Sequence, residues 1–158
     1  MQPDILIADD HSMIRKGLKL NIQLNLNYTD ITEAGSCNEL MKILVKKKFT
    51  HLILDIILSD GSTLEIIPNI RRLYPDMNIM IFSMQPAEIY GEALKQYGIK
   101  YYLSKSVGEE EIIDCLNKFL HNVLKGLHAT PKYLDSKYFY DKKGDELYQK
   151  IMACDEYY

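Results

Sequence analysis

Ile5-Leu6-Ile7-Ala8-Asp9-Asp10 and His51-Leu52-Ile53-Leu54-Asp55 are the stretches that decide the fold, for each is a short aliphatic run ending on acid. Polar or glycine-containing segments follow both runs at once, the pattern of a strand buried on both faces of a parallel sheet. The acids then stand at strand C-termini, and in an open α/β sheet ligands bind in the crevice outside those ends. Like charges 4 Å apart repel by about 4 kcal/mol at an effective dielectric of about 20, so folding alone gives no reason to gather three carboxylates. A divalent cation does. Mg2+ takes one or two protein carboxylates and keeps several waters, and Asp9, Asp10 and Asp55 meet that need. Taken singly, the acids read equally well as a cap for a helix opening near Ser12 and as a turn acid ahead of Asp60-Gly61.

Two later strand ends tilt the balance. Asn78-Ile79-Met80-Ile81-Phe82 runs into Ser83, and Tyr101-Tyr102-Leu103-Ser104 runs into Lys105. A hydroxyl and an ammonium on the edge that carries the acids complete the parts of a phosphoryl-transfer site. These are a carboxylate acceptor, a metal seat, a donor to an equatorial oxygen and a cation for the developing charge.

With these residues in place the chain resembles the receiver domains of two-component response regulators over roughly residues 1–124. Asp9 and Asp10 match that family's acid pair, Asp55 its phosphoaccepting aspartate, Ser83 its Ser/Thr, Lys105 its lysine and Tyr102 its aromatic switch position. Local wording is closest to the LuxR class: Asp9-Asp10-His11-Ser12-Met13-Ile14-Arg15, Asp60-Gly61-Ser62, Phe82-Ser83-Met84 and Tyr102-Leu103-Ser104-Lys105-Ser106. Two departures stand out, Ser59 and Ser106, each where Pro is common. A cis bond before Ser106 would cost about 3 kcal/mol, which leaves the shape of the loop after Lys105 open.

The resemblance implies a five-stranded parallel sheet in the order 2-1-3-4-5, with five flanking helices and a C-terminal appendage. It implies phosphorylation of Asp55 by a sensor histidine kinase, a phosphotransfer protein or a small acyl phosphate. Asp10, Asp55 and the Ile57 carbonyl would hold Mg2+, Asp9 would help through water, Lys105 would pair with the phosphoryl group, and Ser83 would turn toward it. Movement of Ser83 then opens space for Tyr102 and changes a protein-binding surface, read by a second copy or a separate partner. Such a protein is a phosphoacceptor rather than an enzyme.

Composition agrees. The 158 residues suffice for one ordinary domain with an extension. A net charge of −3 offers no basic face for nucleic acid. Cys37, Cys115 and Cys154 lack metal or redox spacing and read as reduced thiols, while the start Met-Gln-Pro-Asp has no signal-peptide character and no apolar run is long enough to span a membrane. A cytoplasmic protein is expected.

Strand signals near 4–8, 28–33, 51–54, 78–82 and 100–103 alternate with helical ones near 12–25, 37–47, 62–74, 86–97 and 107–124. The last helix carries Ile112, Ile113, Leu116, Phe119, Leu120, Val123 and Leu124 at spacings of three and four, one apolar face. Gly35, Gly61, Gly98 and Gly108 fall at joints where positive φ is often needed. Lys46-Lys47-Lys48 and Arg71-Arg72 read as solvated helix ends. His11 reads as a local hydrogen-bond partner of the acid pair and not as a metal ligand, and His51, His121 and His128 share no zinc-ligand spacing. Tyr101 and Tyr102 must point to opposite faces of their strand.

After Leu124 the character changes. Six of the twelve tyrosines stand from Tyr133 onward, and the 34 residues of 125–158 are too few for a helix-turn-helix effector. Gly126-Leu127-His128-Ala129-Thr130-Pro131-Lys132, Ser136-Lys137-Tyr138-Phe139-Tyr140-Asp141 and Gly144-Asp145-Glu146-Leu147-Tyr148 are similar to the leading segment of histidine-specific, S-adenosylmethionine-dependent methyltransferases. That likeness covers about residues 119–158 and stops before any part that could hold the cofactor, so no cofactor-binding residue is assigned. In that family, tyrosines of this segment shape the amino-acid pocket, which would concern Tyr138, Tyr140 and Tyr157 in a longer protein. Alternatives to the phosphoacceptor are thus the first part of a receiver-methyltransferase fusion and a receiver-like module that is never phosphorylated. An aspartate-nucleophile phosphatase is the weakest, because Ile56-Ile57 supplies no second acid after Asp55.

Overall fold

The computed structural model describes residues 3–126, with side chains through His121. Five strands, β1 (Ile5–Ala8), β2 (Ile31–Ala34), β3 (His51–Leu54), β4 (Asn78–Ser83) and β5 (Tyr101–Ser104), form a parallel sheet in the order β2-β1-β3-β4-β5. Five α-helices accompany them among the described residues: α1 (Ser12–Leu26), α2 (Cys37–Lys46), α3 (Ile67–Leu73), α4 (Ala87–Lys95) and α5 (Glu109–Gly126). The chain divides after Ile79 into two compact units.

In the first unit, β1 is flanked by β2 and β3 in parallel register, Ile5 opposite Ile31 and His51, Ala8 opposite Ala34 and Leu54. All four β1 residues are fully buried. An apolar side chain at every position, rather than every second one, follows from covering both faces of a central strand. β2 starts later than its composition suggests. Asn27 closes α1 in the left-handed region at φ 61°, and the Ile31 amide then turns back to the Thr29 carbonyl.

The helix expected over 62–74 is broken. Ile57–Leu58 pairs antiparallel with Gly61–Ser62, Thr63–Glu65 makes a single 3-10 turn, and the α-helix begins only at Ile67 with Pro68 in its first turn. Proline has no N–H to donate, so it sits where no donor is needed and marks the true start. The sharp turn needs Gly61 at φ 142°, whereas Gly35 and Gly108 do not adopt positive φ, contrary to expectation.

Two basic groups read as solvated helix ends are structural ties. Arg71 Nη1 donates to the Met77 and Pro75 carbonyls at 2.6 and 3.1 Å, closing the turn into β4. Lys47 Nζ lies 3.2 Å from Asp4 and 5.0 Å above the Phe49 ring.

His51 is fully buried at the start of β3, with Nδ1 2.7 Å from Thr50 Oγ1. Burial pushes its imidazole from 6.5 down to about 4. The unfolded chain takes up a proton below about pH 6.5 and the native state does not. Stability is therefore full above that pH and falls as pH drops toward about 4, by about 3 kcal/mol in all. Urea midpoints of the wild type and His51→Gln, taken near pH 7 and about pH 4.5, should show a smaller acid loss in the variant. Equal losses would exclude His51 as the source.

In the second unit, β4 and β5 pair with Met80 opposite Tyr101 and Ser83 opposite Ser104. Tyr101 and Tyr102 are both buried, on opposite faces as their adjacency requires. The Tyr101 ring meets Phe119 of α5 edge-on at 5.2 Å. Cys115, Leu116, Phe119 and Leu120 form the buried stripe of α5, with Ile112 and Ile113 half-buried at its margin. Glu109, Glu110 and Glu111 occupy the first turn, where acid complements the helix dipole. None of the described helices is long and apolar enough to cross a membrane. The tail tyrosines, Tyr138, Tyr140 and Tyr157 among them, lie outside the described residues.

Candidate metal and phosphoryl site

The acids are held by the sheet itself. The Asp9 amide donates to the Ala34 carbonyl and the Asp55 amide to the Ala8 carbonyl, both at 3.0 Å, which extends the β1–β2 and β1–β3 ladders by one residue. Each acid therefore leaves its strand at a defined height. Asp9, Asp10, His11 and Asp55 each present a ligand atom, and these atoms all lie within 4.8 Å of one another. Asp9 and Asp55 are buried, at 2% and 6% exposure. Asp10 is a quarter exposed, and its Oδ1 is buried without accepting a hydrogen bond.

That donor set fits Mg2+. It is all-oxygen apart from one imidazole, it is anionic, and it includes a buried carboxylate oxygen with no hydrogen bond to satisfy it. The ring of His11 stands between the acids, with Nδ1 3.1 Å from both Asp9 Oδ1 and Asp10 Oδ1, while its amide donates to Asp9 Oδ1 at 2.9 Å. The expected local hydrogen-bonding role is present.

Three supporting residues escaped the sequence reading. Arg15 Nη1 donates to the Asp9 carbonyl at 2.5 Å, and its Nε donates to Glu33 of β2 at 2.9 Å. Thr63 is fully buried, with Oγ1 2.7 Å from the Asp55 carbonyl and 2.9 Å from that of Ile56. Asp60, which the sequence reading placed only in the turn with Gly61, reaches α2 and accepts from the amides of Cys37 and Asn38 at 2.7 and 3.0 Å. These two donors hold its carboxyl below the usual range. Burial, and then the Asp60 charge, push the neighbouring Cys37 thiol up to about 11, so it is no thiolate at neutral pH.

Thr63→Val keeps the shape and removes that hydroxyl, the donor to the buried Asp55 carbonyl. A loss of about 1–3 kcal/mol in urea unfolding is expected. An unchanged midpoint would show that the Thr63 amide, which donates to Ile56 at 2.7 Å, holds this loop alone.

In the second unit, Ser83 is fully buried and its Oγ accepts from the Gln85 amide at 3.1 Å. The hydroxyl of Tyr102, also fully buried, donates to the carbonyl of the same Gln85 at 2.5 Å. One loop residue thus joins Ser83 to Tyr102. The Lys105 amide donates to the Ser83 carbonyl at 3.0 Å, and its Nζ lies 5.9 Å from the centre of the Phe82 ring. No cis bond occurs among the described residues, so Lys105-Ser106 is trans. Ser106 instead donates its amide to Ser104 Oγ at 3.1 Å, closing a side-chain turn.

Residues 5–117 match the profile of the response regulator receiver domain. The transcriptional regulatory protein YdfI of Bacillus subtilis is 28% identical over 121 residues, 76% of this chain and 56% of that protein. The chain spans about half the length of the curated relatives it matches. Among solved structures, a CheY-like receiver domain protein from Methanospirillum hungatei superposes with a TM-score of 0.70 at 19% identity, over 79% of this chain and 98% of that one. A response regulator from Burkholderia pseudomallei, solved with a phosphorylated aspartic acid and a calcium ion, gives a TM-score of 0.65 at 21% identity, over 81% and 74%. Residues 119–158 match the profile of the histidine-specific, SAM-dependent methyltransferases, a short stretch of which only 119–126 is described.

The chain belongs to the response regulator receiver domain family. Residues 5–117 are thus a receiver, the Mg2+-dependent phosphoacceptor module of two-component signalling. Receivers exchange phosphoryl groups with histidine kinases or phosphotransfer proteins, and many dimerise.

Proposed function

We propose that Asp55 is the phosphoaccepting residue and that phosphorylation there switches a protein-protein interaction surface. The observation that carries this reading is the convergence of the Asp9, Asp10 and Asp55 carboxylates within 4.8 Å at the ends of β1 and β3. Asp10 and Asp55, with the Ile57 carbonyl, would hold Mg2+, and Asp9 would orient its water. The bound cation offsets the repulsion among the acids and the incoming phosphoryl oxygens. Lys105 supplies a cation and Ser83 a hydroxyl for those oxygens, a reading supported by the place of each at the end of its own strand.

Turning Ser83 toward a phosphoryl oxygen costs its bond from the Gln85 amide, and Gln85 is the residue that holds the Tyr102 hydroxyl. Loss of one contact therefore loosens the other, and α4, which follows at Ala87, moves with the loop. The output is binding of a second copy or a separate protein, without direct nucleic-acid contact, in a chain of net charge −3. The free thiols Cys37 and Cys115 suit a cytoplasmic setting. Incubation with Mg2+ and acetyl phosphate, read by intact mass, should add one base-labile phosphoryl group. No labelling of a folded, Mg2+-saturated chain would favour an unphosphorylated interaction module.

The match over 119–158 supports a second reading, in which the chain is the leading part of a receiver-methyltransferase fusion. Residues 1–124 act as the receiver and 125–158 as an appendage without a complete effector. A nucleotide-sized cofactor is buried in a pocket of roughly 300–1,000 Å3, more than so short a tail can enclose. A chain ended after Leu124 should label as fully as the whole one, and calorimetry with S-adenosylmethionine should give no heat for either. Saturable heat lost on truncation would make the methyltransferase reading primary.

A further inference from the structure

The acid cluster contains a nitrogen that Mg2+ does not need. His11 Nδ1 is 3.1 Å from Asp9 Oδ1 and equally far from Asp10 Oδ1, and His11 offers a ring nitrogen to the 4.8 Å set that also includes Asp55. Several features keep it there. The His11 amide is tied to Asp9 Oδ1 at 2.9 Å, the His11 carbonyl accepts from the Arg15 amide in the first turn of α1, and Arg15 grips the Asp9 carbonyl. The ring is two-thirds exposed, so it can tilt toward an arriving ion without disturbing the core.

We propose that His11 is a metal ligand that sets cation preference, adding an imidazole nitrogen to the carboxylates and drawing borderline transition ions to the seat in competition with Mg2+. This rests on the reading that the acids hold a cation. Hard carboxylate and water ligands suit Mg2+, whereas imidazole suits nickel, zinc and copper, and divalent affinity rises from manganese through nickel along the first transition row. Ligation uses the tautomer with Nδ1 bare and the proton on Nε2, whose N–H solvent can satisfy in so exposed a ring. In the metal-free state the same Nδ1 serves Asp9 as a hydrogen-bond partner. One nitrogen thus has two uses, and only one depends on the softness of the metal.

The test is a paired titration of the full chain with Mg2+ and with Ni2+ by calorimetry, counting only Ni2+ that excess Mg2+ displaces. The chains compared are the wild type, His11→Gln, His11→Ala and Asp10→Asn. Glutamine can still donate a hydrogen bond to Asp9 but is a poor transition-metal ligand. Loss of an outer-shell partner alone costs 10 to 100-fold in affinity, so loss of a direct ligand should cost both His11 variants at least about tenfold for Ni2+, while Mg2+ affinity falls by clearly less and least in His11→Gln, which keeps the hydrogen bond to Asp9. Retained Ni2+ affinity in His11→Gln, or equal losses for both ions in His11→Ala, would overturn ligation and leave His11 a hydrogen-bonding residue only. The underlying reading fails differently: wild type that takes up no Mg2+, or Asp10→Asn that binds both ions as wild type does, would show that the acids are not the seat.

Discussion

Asp55→Asn is expected to abolish base-labile phosphorylation by acetyl phosphate while leaving the chain folded. Asparagine is the same size, and its carbonyl oxygen can still accept the Ile56 amide that Asp55 Oδ1 takes at 2.7 Å. The Thr63 hydroxyl continues to meet the backbone carbonyl at position 55. What disappears is the anionic oxygen that attacks phosphorus and one charge of the cation seat, so Mg2+ binding should weaken in the same variant. Removing one of three clustered like charges also relieves repulsion, and the metal-free variant should be no less stable than the wild type. Intact-mass measurement decides the first point. Equal labelling of wild type and variant would move the acceptor to His11 or a serine.

Phe119→Ala should cost about 3–5 kcal/mol of stability, the range for truncating a fully buried phenylalanine. The ring is fully buried and is the edge-on partner of Tyr101 at 5.2 Å. Its loss opens a void between α5 and β5 beside the Tyr101 ring. Ile113→Ala, on the half-buried margin of the same helix, should cost clearly less. A lowered urea midpoint with unchanged slope is the signature. Equal costs at the two positions would mean that α5 is not anchored through Phe119.

The strands were legible because a doubly covered strand needs an apolar residue at every position, and Ile5 to Ala8 and Leu52 to Leu54 have one. Helix α5 was legible through its three-and-four spacing. The start of β2 was not, since Thr32 and Glu33 of this strand are half exposed and carry no apolar run. The 62–74 segment misled because its apolar spacing continues through the hairpin and the 3-10 turn, while the break depends on Gly61 and Pro68 acting within a loop already bent back on itself. Arg71 looked like a helix-end charge because its acceptors are carbonyls, which leave no mark in a side-chain pattern.

By itself the order of residues determined the alternation of strands and helices and which acids, hydroxyl and ammonium end those strands, since burial and reversal are local demands on side-chain type. The tertiary structure alone decided how the loops are held. Arg15 reaches from α1 to the Asp9 carbonyl, Thr63 comes back to Asp55, Asp60 crosses to the first turn of α2, and Gln85 joins Ser83 to Tyr102. Each of these contacts sets a side chain against a backbone group, and a backbone group is the same at every residue. No side-chain pattern can therefore announce such a contact until the chain has folded and brought one particular carbonyl or amide within reach.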